Sequence, residues 1–264
     1  MSTVVAITGA SAGIGKATAL RLARDGASVA ICARRLDRLE GVADEIRRAG
    51  GKAVAVAADV TKPEDMQAFV DAAVDAFGRL DVMICNAGFG IYGEIDKVTP
   101  EQMRSIMDVN YFGTFNAVRA ALPRFRQQGH GHTIIISSIV GKRGIPFMGP
   151  YSATKFAQVG MAESLRAELK GTGLHVSVVY PISTNTEFFE VMTKNSGFAT
   201  RAQGPKQSPD NVAEAIVRAI RKPIPEIYPY RPSKGLAVLN SLFPGLTDTL
   251  TKRWGREPIR EVRS

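Results

Sequence analysis

Short apolar runs and helix-length segments alternate along most of the chain, and this alternation constrains the fold more than any other feature. The apolar runs are residues 3–8, ASVAICA at 27–33, KAVAVAA from 52, LDVMICNAG from 80, GHTIIISS from 131, LHVSVVY from 174 and a short run at 225–228. Helical patterns separate them, including PEDMQAFVDAAVDAFG, a long segment at 101–128, the segment from Tyr151 and another at 209–221. Repeated strand–helix–strand units build a parallel sheet with helices on both faces. The expected fold is therefore α/β, a doubly wound parallel sheet of about seven strands in one domain. In such sheets ligands bind at the carboxyl ends of the strands.

The first of those ends carries TGASAGIGKATALRLARDG. Gly9, Gly13 and Gly15, with Ser11 and Ile14 between them, lie after a strand and before a helix. Free backbone N–H groups and a positive dipole end meet at one spot, which suits a pyrophosphate. The second strand ends at Ala33, followed by Arg34 and Arg35. A carboxylate at position 33 would suit the ribose hydroxyl of NAD; two guanidinium groups instead suit a 2′-phosphate, so NADP is expected over NAD. The plainer reading is that both arginines open a solvated helix. Asp59 with Val60, and Asn86, Ala87 and Gly88, fall at later strand ends on the ligand edge; capping and turn formation are the plainer roles.

Tyr151 and Lys155 are four residues apart at the start of a helical run. On a helix their Cβ atoms stand about 6 Å apart on one face. A lysine ammonium beside a phenol lowers the phenol from its usual pKa of about 10, as proton transfer to a carbonyl near neutral pH requires. Ser138, after the apolar run TIIIS, offers a hydroxyl to the same substrate oxygen. The spacing recurs at Tyr230 and Lys234, but that copy contains Pro232, which disrupts a helical turn, and it reads as chance. Asn110 sits mid-helix among apolar residues and needs either solvent or a partner. Pro123 is expected to bend the last turns of the same segment.

Composition narrows the function. The net charge is +9, yet the basic residues are dispersed and no basic run is interleaved with aromatics, so no nucleic-acid partner is expected. Cys32 and Cys85 lie in apolar strand-like runs and read as buried free thiols; no metal site is expected. No apolar run is long enough to span a bilayer, and the first residues show no signal-peptide pattern. A soluble cytoplasmic protein is the expectation.

Together these residues resemble the short-chain dehydrogenases/reductases in their main single-domain branch, over roughly residues 3–228. Thr8 to Gly15 match Thr-Gly-x-x-x-Gly-x-Gly, and Asn86 to Gly88 match the Asn-Ala-Gly of the central sheet. Asp59 matches the aspartate beside adenine. Asn110, Ser138, Tyr151 and Lys155 match the catalytic set. The resemblance implies a Rossmann-type fold and hydride transfer between a nicotinamide and a carbonyl or secondary alcohol. Tyr151 would be the general acid or base, and Lys155 would lower its pKa and bind the nicotinamide ribose. Ser138 would hold the substrate oxygen, and Asn110 would anchor a water in a proton relay. It also implies a homodimer or homotetramer through helices such as 101–128 and 151–170. One stretch departs from the family. Where Pro-Gly-x-Val-x-Thr is usual, the chain has Pro181, Ile182, Ser183, Thr184, Asn185 and Thr186. Pro181, Thr184 and Thr186 remain candidates for the nicotinamide end, but isoleucine takes a positive φ only at a cost. The rival reading is a catalytically idle NADP-binding sensor or scaffold.

The substrate is expected to be apolar, meeting Ile139, Val140, Phe147, Met148 and the 186–206 loop. Residues 1–231 form the expected catalytic domain and 232–264 a helical extension. That tail carries Leu236, Val238, Leu239, Leu242, Phe243, Leu246, Leu250 and Trp254, with a break near Pro244 and Gly245, then Lys252, Arg253 and Arg256. Packing by the cleft or at a subunit interface is its first reading, and peripheral membrane contact the second.

Overall fold

The computed structural model describes residues 3–196 and 204–251. Its first strand shows why the apolar runs are continuous. Strand β1 (Val4–Thr8) is buried along its whole length. Val4 and Ala6 enter the core on one face of the sheet, Val5 and Ile7 the core on the other. A strand covered on both faces has no place for alternating polar residues.

Seven parallel strands form one sheet in the order β3-β2-β1-β4-β5-β6-β7. The others are β2 (Ser28–Ala33), β3 (Lys52–Ala57), β4 (Val82–Cys85), β5 (Gly131–Ile136), β6 (Leu174–Val179) and β7 (Glu226–Ile227). The order reverses between β1 and β4, the switch point beside which ligands bind in open α/β sheets. This is a Rossmann-type α/β fold. The helices are α1 (Gly13–Arg24), α2 (Leu36–Arg48), α3 (Pro63–Phe77), α4 (Pro100–Met107), α5 (Gly113–Gln128), α6 (Gly149–Glu168), α7 (Phe188–Ser196), α8 (Pro209–Arg221), α9 (Pro232–Leu242) and α10 (Pro244–Thr251). Local signals set several starts. Thr99 and Gln102 form a reciprocal capping box at α4, and Ser208 caps α8 just before Pro209.

The long helix expected at 101–128 is interrupted. Asp108–Phe112 forms a π-helical turn between α4 and α5. Side-chain donors on the Asn110 carbonyl, described below, take that oxygen out of the regular ladder. Pro123 lies inside α5. The tail breaks between α9 and α10, as its Pro244 and Gly245 predict. Ser233 and Ala237 face inward, while Leu242 and Phe243 are 66% and 58% exposed. Lys252, Arg253, Trp254 and Arg256 lie outside the described residues, as do residues 197–203 of the loop after α7. Cys32 and Cys85 are free and buried.

Candidate active site

A cleft of about 780 Å³ runs along the carboxyl edge of the sheet. Its floor at one end is the glycine turn. Gly9 has φ 66°, and a Cβ there would stand 2.7 Å from the Ala87 Cα, so the ends of β1 and β4 pack backbone to backbone. Thr8 Oγ1 accepts from the N–H groups of Asn86 (3.0 Å) and Ala87 (3.1 Å). Asn86 Nδ2 donates to the carbonyls of Thr8 and Gly9, both at 3.0 Å. Gly15 lies beneath this junction, where a Cβ would meet Asn86 Nδ2 and the Gly9 carbonyl at 2.5 Å. Gly15 is therefore a packing glycine, away from the cleft surface. Gly9, Ser11, Gly13 and Ile14 line the cleft itself, with Ala87 and Gly88 beside them.

Arg34 and Arg35 follow β2 on the same wall and are exposed. Asp59 lies next to them. Burial opposes its ionisation, but bonds from the Thr61 N–H (3.0 Å) and hydroxyl (2.9 Å), with the Arg34 charge, hold its carboxyl below the usual range. Asn116 of α5 donates to the Val60 carbonyl at 2.9 Å and fixes the loop behind Asp59.

At the other end stand Ser138, Tyr151 and Lys155. The extended Ser138 caps a short 3-10 turn, Ile139–Gly141, and leads out of β5. Tyr151 and Lys155 lie in the first turns of α6, 8% and 4% exposed. The Lys155 amine sits 5.5 Å from the centre of the Tyr151 ring. It donates to the Ile136 carbonyl (2.9 Å) and to Gln158 Oε1 (3.1 Å). Burial pushes the Tyr151 hydroxyl up, while its hydrogen bond with Ser138 acts the other way. Burial pushes Lys155 down to about 7. The spacing thus brings phenol and amine onto one face, as expected. The expected lowering of the phenol by the ammonium is absent from the protein by itself, because desolvation acts on both groups and the amine faces two neutral oxygens.

Asn110 does not line the cleft. It is fully buried, and its side chain grips the backbone after β4. Oδ1 accepts from the Phe89 N–H at 3.0 Å, and Nδ2 donates to the Phe89 carbonyl (2.9 Å) and to Thr154 Oγ1 (3.0 Å). The costly buried amide is thereby satisfied.

The profile of the short chain dehydrogenase family matches residues 3–197. The chain is a short-chain dehydrogenase. It is 36% identical to the uncharacterized oxidoreductase Lmo0432 of Listeria monocytogenes, over 83% of this chain and 91% of that one. Its fold superposes with a TM-score of 0.85 on a short chain dehydrogenase/reductase of Burkholderia phymatum in complex with NAD, at 25% identity, over 100% of this chain and 98% of that one. An alcohol dehydrogenase of the archaeon Thermococcus sibiricus, complexed with 5-hydroxy-NADP, matches at TM-score 0.77 and 29% identity, over 86% and 96% of the two chains. The dehydrogenase is accordingly an oxidoreductase of the CH–OH/C=O class.

The family departure at Ile182 turns out to be local. Phe147 (φ 64°) is the only non-glycine with positive φ among the described residues, so Ile182 takes an ordinary conformation. Pro181, Thr184 and Thr186 line the cleft, and the Thr184 hydroxyl donates to the Ile182 carbonyl at 2.9 Å. Ile139, Val140 and Met148 line it as well. Phe147 does not: its left-handed backbone sends the ring toward Tyr92, with centroids 5.6 Å apart, and its carbonyl accepts from the Gly93 N–H.

Sequence reasoning missed several residues of the dehydrogenase. Gln158 continues the Tyr151–Lys155 stripe by one more turn, and a glutamine at i+7 in an apolar run was the available signal. Arg143 carries no such signal. It lines the cleft and reaches Asn240 of α9 (3.0 Å) and Asp248 of α10 (2.5 Å). Asn240 in turn donates to the Lys142 carbonyl at 3.1 Å. The tail is thereby tied to the loop after Ser138, and Leu236 of α9 joins the cleft wall.

Proposed function

We propose that this dehydrogenase uses NADP(H) to interconvert an apolar carbonyl compound and its secondary alcohol, with Tyr151 as general acid in reduction and base in oxidation. One observation carries the reading: the hydroxyls of Ser138 and Tyr151 and the buried Lys155 share a single cleft with the glycine turn and the Arg34–Arg35 pair. The donor set suits a phosphorylated dinucleotide. No side chain caps the N-terminus of α1, which leaves first-turn N–H groups for a pyrophosphate, and the two exposed guanidinium groups after β2 support pairing with a 2′-phosphate. Two related structures carry NAD and 5-hydroxy-NADP, which supports the nicotinamide class. That group, when bound, supplies or receives the hydride.

The chain's own residues do the rest. Ser138 and Tyr151 address the substrate oxygen, and Tyr151 moves the proton. Lys155 stands under the ring. Asn110 holds Phe89 and so shapes the backbone beside Gly88; its proposed part in a proton relay belongs to the same reading. Val140, Ile145, Met148, Phe188 and Leu236 give the substrate end an apolar wall. A panel of carbonyls with NADPH tests the activity; no cofactor oxidation with any of them would favour the idle sensor or scaffold. Cofactor choice is tested by Ala33→Asp with Arg34→Leu. The new carboxylate repels a 2′-phosphate, and the preference ratio of NADPH over NADH should fall about tenfold or more.

The reading extends to assembly. Residues 1–231 act as the catalytic unit and 232–264 as its extension. Phe112, Phe115 and Phe156 are each more than 40% exposed on the helical segments around α5 and α6, which supports a homodimer or homotetramer through those helices. Light scattering tests it. The exposed Leu242, Phe243 and Leu246 support a second role for the tail, contact with a membrane surface by an otherwise cytoplasmic enzyme; flotation with anionic liposomes tests that. Among the described residues no helix is long and apolar enough to cross a membrane.

A further inference from the structure

Tyr151, Lys155 and Gln158 lie on one buried stripe of helix α6, with the buried Thr154 between them. The proposed chemistry uses the first two. Gln158 is fully buried and makes three side-chain hydrogen bonds. Its Oε1 accepts from the Lys155 amine at 3.1 Å. Its Nε2 donates to the Asn110 carbonyl at 2.7 Å and to Thr114 Oγ1 at 2.8 Å. The Thr114 hydroxyl also donates to the Asn110 carbonyl, at 2.7 Å.

The orientation of this amide is forced by its neighbours. A carbonyl offers only an acceptor, so the amide nitrogen must face Asn110, which turns the oxygen toward Lys155, where it accepts from the amine. The Asn110 carbonyl receives two donors, which engages both of its lone pairs. A buried amide with three partners at these distances costs several rotamers and a desolvation penalty, and it is retained only where all its bonds are made.

Lys155 has two oxygens within reach, the Ile136 carbonyl and Gln158 Oε1. Among the described residues, no carboxylate forms an ion pair with it. Helix α6 brings the Tyr151 ring, and β5 and its exit bring the Ile136 carbonyl and the Ser137 hydroxyl, which bonds the Lys155 carbonyl. The π turn and α5 bring Asn110 and Thr114, while Asp108 is exposed. Burial lowers the proton affinity of the amine. Among the described residues, Gln158 is the one side chain hydrogen-bonded to the amine.

We infer that Gln158 is a positioning residue for the acid–base pair: its amide, locked by the Asn110 carbonyl and Thr114, holds the Lys155 amine beneath Tyr151 and supports its protonated form. The inference rests on the proposed roles of Tyr151 and Lys155. It has a consequence for proton exit. Gln158 and Thr114 take up the Asn110 carbonyl, so a water relay anchored on that oxygen competes with Gln158 for it.

The test is a titration of the Lys155 side chain by NMR, in full-length protein labelled with 13C at lysine and assigned with Lys155→Met. Gln158→Leu removes the acceptor, and the ammonium loses a partner; the midpoint should move to lower pH by about one unit, a tenfold change in proton affinity. Gln158→Met does the same with a volume nearer the original, should the leucine variant fold poorly. Gln158→Glu sets a carboxylate beside the amine, and the midpoint should move to higher pH by at least as much. The high-pH fall in kcat/KM for NADPH-dependent reduction should shift in the same two directions, since reduction needs the proton. A merely structural glutamine would lower stability or activity without opposite shifts. Midpoints that stay put in folded variants, or shifts that leave the kinetic profile unmoved, overturn the inference. The titration needs neither substrate nor cofactor, so it judges Gln158 separately from the proposed activity. That activity stands or falls with Tyr151→Phe.

Discussion

The chain contains two Tyr-x-x-x-Lys segments, and the structure treats them differently. Tyr151 and Lys155 lie inside α6, packed on the end of β5, both buried. Tyr230 lies just outside α9 and Lys234 just inside it. Pro232 separates them as the first residue of α9, so it opens that helix where the sequence suggested a disrupted turn. Tyr230 borders the cleft, and its carbonyl accepts from the Ser233 hydroxyl at 2.7 Å; Lys234 is exposed. The same four-residue spacing therefore yields a desolvated phenol–amine pair in one place and a helix start with a solvated lysine in the other. Burial is what separates them, because only in a low-dielectric site do neighbouring groups shift proton affinities by several units.

The sharpest way to break this comparison is to remove both phenols in turn. Tyr151→Phe should lower turnover at least about a hundredfold, the scale of a lost general acid–base group, with NADPH binding retained. Tyr230→Phe should change turnover by less than about threefold, as expected for a side chain on the cleft border without a proton-transfer role. Steady-state NADPH oxidation with an accepted carbonyl measures both. Equal losses would show that position in the cleft, and not burial beside Lys155, makes the difference.

The next effect is on stability. The folded-state value of Lys155 is depressed to about 7 by burial, below the 10.5 of a free lysine. Between these values the unfolded chain holds a proton that the folded one lacks. Stability of the protein by itself should therefore rise as pH climbs from about 7 toward 10. Lys155→Met should flatten that rise and raise the melting temperature most at pH 7 and below, where the buried charge is costliest. Lys234→Met should leave the profile unchanged. Thermal melts across pH 6–10 decide it, and parallel profiles for wild type and Lys155→Met would contradict the assigned burial effect.

The smallest effect concerns the tail that carries the second copy. Asp248 is 60% exposed in its pair with Arg143. Asp248→Asn should cost less than about 1 kcal/mol, the range of exposed ion pairs. Deleting residues 232–264 should do more, by removing Leu236 from the cleft wall and exposing the loop after Ser138. A truncated protein that stayed soluble, kept its assembly state and turned over substrate normally would make the tail dispensable and leave the second copy without any role.

The legibility of the site follows the same division. The strand ends were readable because each is marked by residues adjacent in sequence: the glycine turn, Asn86 to Gly88, and Ser138 after a run of isoleucines. Period and punctuation are local, and a parallel sheet buried on both faces leaves them undisguised. Asn110 was recognisable as a problem, a buried amide in need of partners, while the identity of those partners was not. Gly15 and Phe147 were placed one step too close to the ligand, because sequence shows that a glycine or an aromatic is present without showing which wall it faces.

By itself the sequence determined the α/β class, the parallel sheet, the cleft edge and the motifs at the strand ends, since each depends on short-range pattern. The tertiary structure alone decided the pairings among polar groups. Asn110 meets Thr154 across 44 positions, Gln158 meets the Asn110 carbonyl across 48, and Arg143 meets Asp248 across 105. A hydrogen bond is specified by a few tenths of an ångström and an angle, and distances of that kind between remote residues exist only once helices have docked on the sheet. The protonation of Lys155 belongs to the same category: four residues of spacing place it beside Tyr151, but the packed core around both sets its proton affinity.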